Sequence, residues 1–408
     1  MRIAVLIPNV TGGGAEFVAL EWARELRRRG HFVVIILTER AAHEHSDGLP
    51  EIHSVYSRAG LIGQILKLWW LQESHRVDVV LSLMPYWNLL SIVTAHVRPR
   101  AKRPALVISE RTLVVAFKRT KGRAYSAKIL LARLLYRRAD ACIAISHAVA
   151  AEVTSLFGVP LSRIWVVPNP ALAKTVSSRP LAVQPAKRQD RVAALVVPCR
   201  LIAQKRPELA IEVAIDLTAH GHPVSVHYFG SGPMEAELLA RGRSAQIEVV
   251  LHGWVDDWFA NVPAAPVVLL PSIVEGFGNV LVEAAASGIP CVASSRALGV
   301  SDAMVNGLSG VLTPGESIQE LSAAVLAASR LPMQTLAPWL ANFSILNSVD
   351  ALENGPLRAL GPSAEDTASG VDSLTKWYRL NYNASRDGRK LVSTNRKNQH
   401  SKRERTVE

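Results

Sequence analysis

The sequence is poor in the features that mark several classes of protein. It has three cysteines, Cys142, Cys199 and Cys291, an odd number that lacks the paired spacing of a disulfide framework or a zinc site. No apolar run approaches the ~18 residues that span a bilayer. The first residues contain one basic side chain and a short apolar run, which predicts a first strand rather than a signal peptide. We therefore expect a protein of the reducing cytosol and not an integral membrane protein.

Positive charge is concentrated in the first part of the chain. The formal net charge is +12, and residues 1–172 carry 23 Lys and Arg against 12 Asp and Glu. Residues 173–384 carry 15 against 19, and residues 385–408 carry 8 against 3 and are predicted to be a disordered basic tail. No zinc spacing, recognition-helix pattern or aromatic RNA motif accompanies the charge, so nucleic acid is not the expected partner. The uneven charge indicates two domains that face different partners.

Strand-like and helix-like segments alternate along the first half. The predicted strands are 2–8, 31–37, 77–83, 105–109 and 141–145, and the predicted helices are 15–29, 61–71, 125–138 and 148–157. Such alternation is typical of a doubly wound parallel sheet, in which ligands bind at the carboxyl ends of the strands. A stretch rich in Pro, Ser, Lys and Ala, 173–191, is the predicted linker, after which a strand at 192–197 begins the second half.

Two carboxylates lie eight residues apart in the segment 267–294, which reads as strand, loop, short helix and strand. Glu275 lies in the loop and Glu283 on the helix, Asn279–Ser287, whose side chains lean toward its N-terminus. Both carboxylates can then line one mouth, toward which the backbone N–H groups of residues 277–279 also open. Carboxylates that bind hydroxyls beside amides that bind phosphate suit a sugar nucleotide.

The pattern E-G-F-G-N-x-x-x-E-A-x-A-x-G-x-P in this segment resembles the family 4 retaining glycosyltransferases. Their fold is GT-B, two Rossmann-like doubly wound α/β domains that face each other across a cleft. The resemblance implies that Glu275 contacts the donor sugar and Glu283 the ribose of the nucleotide. It also implies donor-binding roles for Gly276, Phe277, Gly278 and Asn279. The family's donor site needs no divalent ion, so neither a metal nor another cofactor is expected.

Three further segments of the second half match this family in order. Arg200 and Lys205 match its pair of cations for the donor diphosphate, where charge-assisted hydrogen bonds contribute ~1.5–3 kcal/mol each. Gly230 and Gly232 match its nucleotide-side loop, and Val255 lies in the segment whose backbone reads the base. The resemblance implies that the two cations act with the first glutamate as the catalytic groups, stabilising the leaving diphosphate. A lysine in a cleft adds little to a core, so replacing Lys205 is expected to leave folding intact.

The first half carries a glycine-rich loop between its first strand and first helix. Gly13 and Gly14 there would let a phosphate approach the backbone and the helix N-terminus, and the family carries such a loop. A dinucleotide-binding fingerprint is the alternative. Phe17 stands where that fingerprint has its third glycine, which disfavours an NAD enzyme.

The acceptor side is predicted from two segments of the first half. Ser82–Asn88 and Ile108–Arg111 resemble a bacterial branch of the family that acts on lipid-linked or polysaccharide intermediates. The resemblance implies acceptor-side roles for Asn88, Glu110 and Arg111. A purely structural salt bridge of Glu110 or Arg111 is the alternative.

Basic and apolar residues are interleaved in the segment 98–138, which holds thirteen Lys and Arg and a single acidic residue. Membrane-surface helices have this composition, and Trp69 and Trp70 would suit an interface. One interpretation is docking on an anionic membrane surface through Lys118, Arg119, Lys121, Arg123 and Lys128. Solvated surface charge is the other.

We expect residues 1–172 to bind the acceptor and residues 192–345 the nucleotide-sugar. Residues 346–384 would form a divergent segment whose helix, 374–382, returns to the first domain. The expected function is retaining transfer from a nucleotide-sugar, a UDP-sugar before GDP-mannose, to a saccharide or lipid-linked saccharide in cell-surface polysaccharide or glycoconjugate synthesis. The expected location is cytoplasmic, at the inner face of the membrane. Two alternatives stay open: a GT-B enzyme of the epimerase or phosphorylase type, and a non-catalytic sugar- or membrane-binding relative.

Overall fold

Two parallel sheets, each packed against helices, make up the computed structural model of the protein. The residues that it describes are 1–10, 13–39, 50–58, 60–99, 103–114, 123–176, 192–331 and 336–360. All strand pairs within the two sheets are parallel. The prediction of two doubly wound α/β units is confirmed.

The first sheet has seven strands in the order β3-β2-β1-β4-β5-β6-β7. Its strands are β1 (Arg2–Ile7), β2 (Phe32–Leu37), β3 (Glu51–Ser54), β4 (Val79–Leu83), β5 (Ala105–Glu110), β6 (Ala141–Ala144) and β7 (Ile164–Val166). Its helices are α1 (Gly14–Arg28), α2 (Gly60–Ser74), α3 (Pro85–His96), α4 (Arg123–Leu135) and α5 (His147–Phe157). A short helix, α6 (Ala173–Val176), follows β7, and most of the predicted linker, 177–191, lies outside the described residues.

The second sheet has six strands in the order β10-β9-β8-β11-β12-β13. Its strands are β8 (Ala194–Val197), β9 (Ser225–Phe229), β10 (Val249–Gly253), β11 (Pro266–Leu270), β12 (Cys291–Ser294) and β13 (Gly310–Thr313). Its helices are α7 (Glu208–Ala219), α8 (Glu235–Ala245), α9 (Asn279–Ala286) and α10 (Ile318–Ser329). The helix that carries Glu283 is therefore α9, as the sequence predicts.

Burial on both faces explains why the strands of the first sheet are continuous apolar runs. In β1, Ile3, Val5 and Ile7 pack in the core that contains α1, whereas Ala4 and Leu6 belong to the core on the opposite face. A sheet covered by helices on both faces needs apolar side chains at every position, and successive side chains point to opposite faces. The carboxyl ends of these strands are left for polar loops.

The last described segment returns to the first sheet. After α11 (Ala337–Leu340), helix α12 (Ile345–Leu352) packs on α1, and a π-helical turn, Glu353–Leu357, continues it. The indole N–H of Trp22 donates to Ser348 Oγ at 2.8 Å, and Arg29 pairs with Asp350 at 2.6 Å and with Glu353 at 2.5 Å. The return thus occurs within 345–357. The predicted returning helix, 374–382, and the predicted tail lie outside the described residues.

Candidate active site

The cleft lies between loops at the carboxyl ends of the two sheets. The side-chain amide of Asn169, which follows β7, donates to Asn279 Oδ1 at 2.7 Å, and Asn279 is the first residue of α9. The backbone N–H of His147 donates to Asp302 Oδ2 at 2.7 Å. Gly14, the first residue of α1, also faces α9, since a Cβ built on it would lie 3.7 Å from Asn279 Nδ2. The predicted glycine loop and the predicted glutamate segment therefore share one cleft.

The backbones of the two halves come close together at Gly276. A Cβ on this residue would lie 2.3 Å from the carbonyl oxygen of Arg111, so only glycine fits the crossing. The sequence assigns Gly276 to donor binding, and the structure adds a packing reason for the glycine. This contact brings the loop after β5 next to the loop after β11.

Lys205 and Glu275 form an ion pair inside the cleft. Lys205 ends a 3-10 turn after β8, Glu275 lies after β11, and Nζ and Oε1 are 2.5 Å apart. The hydroxyl of Ser272 donates to the same Oε1 at 2.6 Å. The side chains of Lys205 and Glu275 are only 15% and 10% exposed. Two residues predicted to make separate contacts with a donor thus hold each other in place, and Oε2 of Glu275 points to no partner among the described residues.

Arg200 lies exposed on the same loop as Lys205, and the predicted glycines pack against that loop. A Cβ on Gly230 would lie 2.1 Å from the carbonyl oxygen of Cys199, and a Cβ on Gly232 would lie 2.3 Å from that of Leu201. Glycine at these two positions therefore lets the loop after β9 contact the backbone on either side of Arg200. Burial raises the pKa of the Cys199 thiol to about 12, so this cysteine stays a neutral thiol rather than a nucleophile.

Glu283 is more deeply buried than the sequence predicts for a residue that lines the mouth of the cleft. It is 4% exposed, and the indole N–H of Trp258 donates to its Oε2 at 2.7 Å. Burial raises the pKa of Glu283, while the Trp258 hydrogen bond and the charge of Lys174 lower it. The Lys174 ammonium also lies 5.1 Å from the ring centre of Phe17 and 5.7 Å from that of Trp254, so it joins both halves of the cleft.

The start of α9 offers backbone groups rather than side chains. Gly278 precedes the helix and has no side chain, so it cannot cap the first-turn N–H groups. The ring of Phe277 is buried against Phe343, with ring centres 5.5 Å apart, so only its backbone can face a donor. Val255 is partly buried in the loop after β10.

Two of the three predicted acceptor-side residues are buried inside the first sheet. Asn88 and Glu110 are both 0% exposed. The hydroxyl of Tyr136 donates to Glu110 Oε2 at 2.8 Å, and Asn88 Nδ2 donates to the carbonyl oxygen of Ser109 at 3.0 Å. Burial raises the pKa of Glu110 to about 8, so it is largely protonated at neutral pH. Neither side chain reaches the surface of this structure, and both can act only by positioning their neighbours.

Arg111 is the partly exposed member of this set. Its guanidinium donates to Asn169 Oδ1 and lies 5.2 Å from the ring centre of Trp22. Burial lowers the pKa of Arg111, and the charges of Glu110 and Glu16 oppose that shift. No ion pair joins Glu110 to Arg111 among the described residues. Because Asn169 also contacts Asn279, Arg111 is linked to the start of α9.

An aromatic pocket of about 630 Å³ opens at the carboxyl ends of β2, β3 and β4. It is lined by Thr38, Glu39, Tyr56, Gln64, Tyr86, Trp87 and Lys128. The Lys128 ammonium lies 5.4 Å from the ring centre of Tyr86. Asn9 Nδ2 donates to Glu39 Oε2 at 2.9 Å, which connects the pocket to the loop that leads to α1. The sequence gives no sign of this pocket, because its lining residues come from five separate segments.

Several neighbours of the site are also missing from the sequence-based prediction. They are Ser272, Trp258, Asn169 and Lys174. Asn169 lies in the segment I-W-V-V-P-N-P, which resembles the family's strand before the linker and could have pointed to it. Nothing in the local sequence marks the other three, since each becomes significant only through a partner far along the chain.

Comparison with known proteins identifies related chains. The model described as Glycosyltransferase Family 4 matches residues 12–171, and the model described as Glycosyl transferases group 1 matches residues 193–330. A D-inositol 3-phosphate glycosyltransferase of Geodermatophilus obscurus is 27% identical over 319 residues, which cover 72% of this chain and 62% of that protein. The chain therefore spans less than two thirds of that relative's length.

Solved structures share the fold. The apo form of the lipopolysaccharide outer core galactosyltransferase WaaB is similar with a TM-score of 0.67 and 20% identity, covering 87% of this chain and 98% of that one. Anabaena Alr3699/HepE in complex with UDP gives a TM-score of 0.65 and 18% identity, covering 86% and 98%. The matched models and the shared fold agree with the cleft and the parallel sheets. The chain belongs to glycosyltransferase family 4 and has the GT-B fold.

Proposed function

We propose that the chain transfers a sugar from a nucleotide-sugar donor to a saccharide or lipid-linked saccharide with retention of configuration. The observation that carries this proposal is the Lys205–Glu275 ion pair, which joins the loop that carries Arg200 to the loop that leads into α9. The two cations and the N–H groups of α9 would offset the charge that develops on the leaving diphosphate. Oε2 of Glu275 would accept hydrogen bonds from hydroxyls of the donor sugar.

The proposed transfer breaks one bond to the sugar and forms another. The bond between the sugar C1 and the diphosphate oxygen breaks, and the acceptor oxygen forms a new bond to C1 on the same face. The acceptor proton passes to the departing phosphate oxygen, which lies on that face. Glu283 would bind the ribose hydroxyls while Trp258 fixes the orientation of its carboxylate. No residue proposed here requires a metal ion.

A UDP-sugar is the favoured donor and GDP-mannose the second choice. Anabaena Alr3699/HepE, a structural neighbour, has been solved with UDP and with UDP-glucose, which supports this order. A thermal-shift panel of UDP-, GDP- and ADP-sugars tests it, because a ligand of the folded state raises the melting temperature. Arg200→Ala should lose the shift, whereas Arg243→Ala, an exposed arginine on α8, should keep it.

Incubating the best donor with acceptors then separates the proposal from its alternatives. A retaining transferase gives a new glycoside with the donor's anomeric configuration, as NMR of the product would reveal. An epimerase would convert the donor without an acceptor, a phosphorylase would need inorganic phosphate, and a non-catalytic relative would bind without turnover. Any of these three results contradicts the proposed transfer.

The aromatic pocket is the proposed acceptor site. Tyr56, Tyr86 and Trp87 offer ring faces for a sugar, and Lys128 beside them offers a cation for an anionic group such as a phosphate. With a water-soluble acceptor, Trp87→Ala should raise the acceptor KM and leave the donor KM unchanged. Trp69→Ala, on α2 but outside the pocket, is the matched control. An unchanged acceptor KM in Trp87→Ala would place the acceptor elsewhere.

Attachment to an anionic membrane surface is proposed for the face formed by α2, α3 and α4, which pack side by side. Ten apolar side chains are exposed there: Leu61, Ile62, Leu66, Trp69, Trp70, Val93, Val97, Leu130, Leu131 and Leu134. We call this the helical face. The pocket residues Gln64, Trp87 and Lys128 lie on the same three helices, so a lipid-linked acceptor could enter from a bound membrane.

The basic residues that the sequence assigns to this surface lie mostly outside the part of the chain that the structure describes, so their part in docking stays a prediction. Lys118, Arg119 and Lys121 lie outside the described residues, as does the side chain of Arg123, and Lys128 lines the pocket. None of the described helices is long and apolar enough to cross a bilayer. Surface attachment would therefore combine apolar insertion from the helical face with the basic charge of this region.

Sedimentation with anionic vesicles tests this attachment, using protein that lacks the basic residues 385–408. Leu66→Glu/Trp70→Glu should abolish binding, because charged groups on the helical face cannot enter the interface. Leu346→Glu, at an exposed apolar position on α12, should bind as before. Binding that survives the double substitution would assign the surface to another face, and reversal of the five basic residues measures how much of the attraction is electrostatic.

A further inference from the structure

Three metal-ligating side chains meet on the side of the first sheet opposite the cleft. Glu51 and His53 lie on the edge strand β3, and His75 follows directly after α2. Both Glu51 and the turn that holds His75 are at the amino ends of the strands, whereas the cleft is at their carboxyl ends. This cluster therefore takes no part in the proposed transfer.

The spacing of the three groups suits one ion. His53 Nε2 lies 3.0 Å from Glu51 Oε1, and His75 Nε2 lies 3.9 Å from Glu51 Oε2. All the ligand atoms lie within 4.8 Å of one another. Zinc bonds of 2.0–2.2 Å at tetrahedral angles place ligand atoms about 3.3–3.5 Å apart. Small rotations of Glu51, which is the most exposed of the three, would bring its two distances to the imidazoles toward that value.

The hydrogen bonds of His75 are compatible with the tautomer that binds a metal. Its Nδ1 lies 3.0 Å from the carbonyl oxygen of Leu71 and 3.1 Å from Ser74 Oγ, which itself can donate to that carbonyl. In the tautomer that donates to Leu71, Nδ1 carries the proton. The lone pair is then on Nε2, which faces Glu51. Arg2 donates to the backbone carbonyl of His75 and so holds this turn. A backbone carbonyl that orients an imidazole in this way is the usual outer partner of a metal-bound histidine.

His53 supplies an independent sign of a missing partner. Its Nε2 is buried and has no hydrogen bond among the described residues, although Glu51 Oε1 is only 3.0 Å away. The ring stands edge-on to that of His75, with centres 4.7 Å apart, so both imidazoles face the same carboxylate. Buried polar atoms are normally satisfied, and a shared cation would satisfy this one.

We propose that Glu51, His53 and His75 bind one Zn²⁺ ion, with water as the fourth ligand. Two imidazoles and a carboxylate suit zinc, whereas magnesium and calcium prefer oxygen ligands throughout. The ion would fasten the edge strand β3 to the end of α2. Because α2 carries part of both the helical face and the pocket, the ion would hold that helix against the sheet.

Calorimetric titration of the untagged, metal-free full chain with Zn²⁺ tests the proposal. We expect one ion per chain and a rise in melting temperature, roughly 5–10 °C when free zinc is a hundred times its Kd. Mg²⁺ should give no shift. Co²⁺ in place of Zn²⁺ should give the visible absorption of a tetrahedral site. Absence of both zinc binding and the shift would overturn the proposal.

Variants locate the ion. His53→Ala/His75→Ala should lose the bound ion and the zinc-dependent shift, and Glu51→Gln, which keeps both imidazoles, should weaken binding while the protein remains folded. His220→Ala is the matched control, since His220 is an exposed histidine that lies 3.6 Å from Asp216 and has no third ligand nearby in the described part of the chain. Unchanged zinc affinity in both the double variant and Glu51→Gln would place the ion elsewhere and overturn the assignment.

Discussion

Replacing Lys205 by alanine should destabilise the fold as well as lower activity. The sequence alone predicts intact folding, because a lysine in a cleft adds little to a core. In the structure, however, Lys205 neutralises Glu275, whose side chain is only 10% exposed. Without Lys205, a nearly buried carboxylate would keep one side-chain hydrogen bond, from Ser272, and no ion-pair partner among the residues that the structure describes.

The size of the loss follows from the geometry. At 2.5 Å and an effective dielectric constant of about 20, the attraction between the two charges is about 7 kcal/mol, and most of it offsets the cost of removing them from water. Breaking a buried pair costs about 3–5 kcal/mol. Because the pair is partly exposed and the Ser272 hydroxyl still donates to Glu275, we expect Lys205→Ala to lower the free energy of unfolding by about 3 kcal/mol, the lower end of that range. Glu275→Gln removes the carboxylate and leaves the Lys205 ammonium without its partner. The double variant removes both charges, so it should lose less than the sum of the two single losses.

A double-mutant cycle measured by urea unfolding checks this value. The four proteins should give a coupling energy of about 2 kcal/mol, within the range for contacting residues. Arg103→Ala is the control, because Arg103 and Asp140 form a pair of similar exposure in the first sheet, 2.6 Å apart and outside the cleft. It should lower stability but leave the donor KM unchanged. A coupling energy below about 0.5 kcal/mol, the limit for independent sites, would refute the reasoning.

Three further predictions concern the other buried groups. Glu275→Gln should lower kcat more than Glu283→Gln does, whereas Glu283→Gln should mainly weaken nucleotide binding; the opposite ranking in steady-state kinetics would reverse the two assignments. The pKa of Glu110 is raised to about 8 in the folded chain, so protonated Glu110 stabilises the fold. This contribution, about 5 kcal/mol, is fully present below about pH 4.5 and is lost as the pH rises toward 8. Urea midpoints between pH 5 and pH 8 should therefore fall less steeply in Glu110→Gln than in the original chain, and equal slopes would contradict the raised pKa. Asn169→Ala should cost about 1 kcal/mol of stability and lower kcat, since it breaks the link from Arg111 to α9; an unchanged kcat would show that this link does not position the donor site.

Local periodicity determined the elements that the sequence predicts well. β1, α1 and α9 are found within a residue or two of their predicted bounds, because a buried apolar run or an amphipathic repeat is set by near neighbours. Helix α3 was missed because it is apolar around most of its circumference, as a helix covered on several sides must be. The sequence does not predict helix α12, because its polar residues Ser348 and Asp350 have hydrogen-bond partners more than 300 positions away. These partners are Trp22 on α1 and Arg29 just after it.

The sequence also determined which residues stand at the carboxyl ends of the strands, and so the set from which a site can be built. It could not determine which of them face the cleft, because this depends on side chains from other segments. Glu110 ends β5, one residue beyond the predicted strand, but Tyr136 and Asn88 enclose it, while Arg111 beside it turns to Asn169. Lys205 and Glu275 are 70 positions apart in the chain, and only the pairing of β8 with β11 brings them to 2.5 Å. The local sequence therefore determines which residue types are available for the chemistry. The tertiary packing of the parallel strands determines which of these residues lie close together.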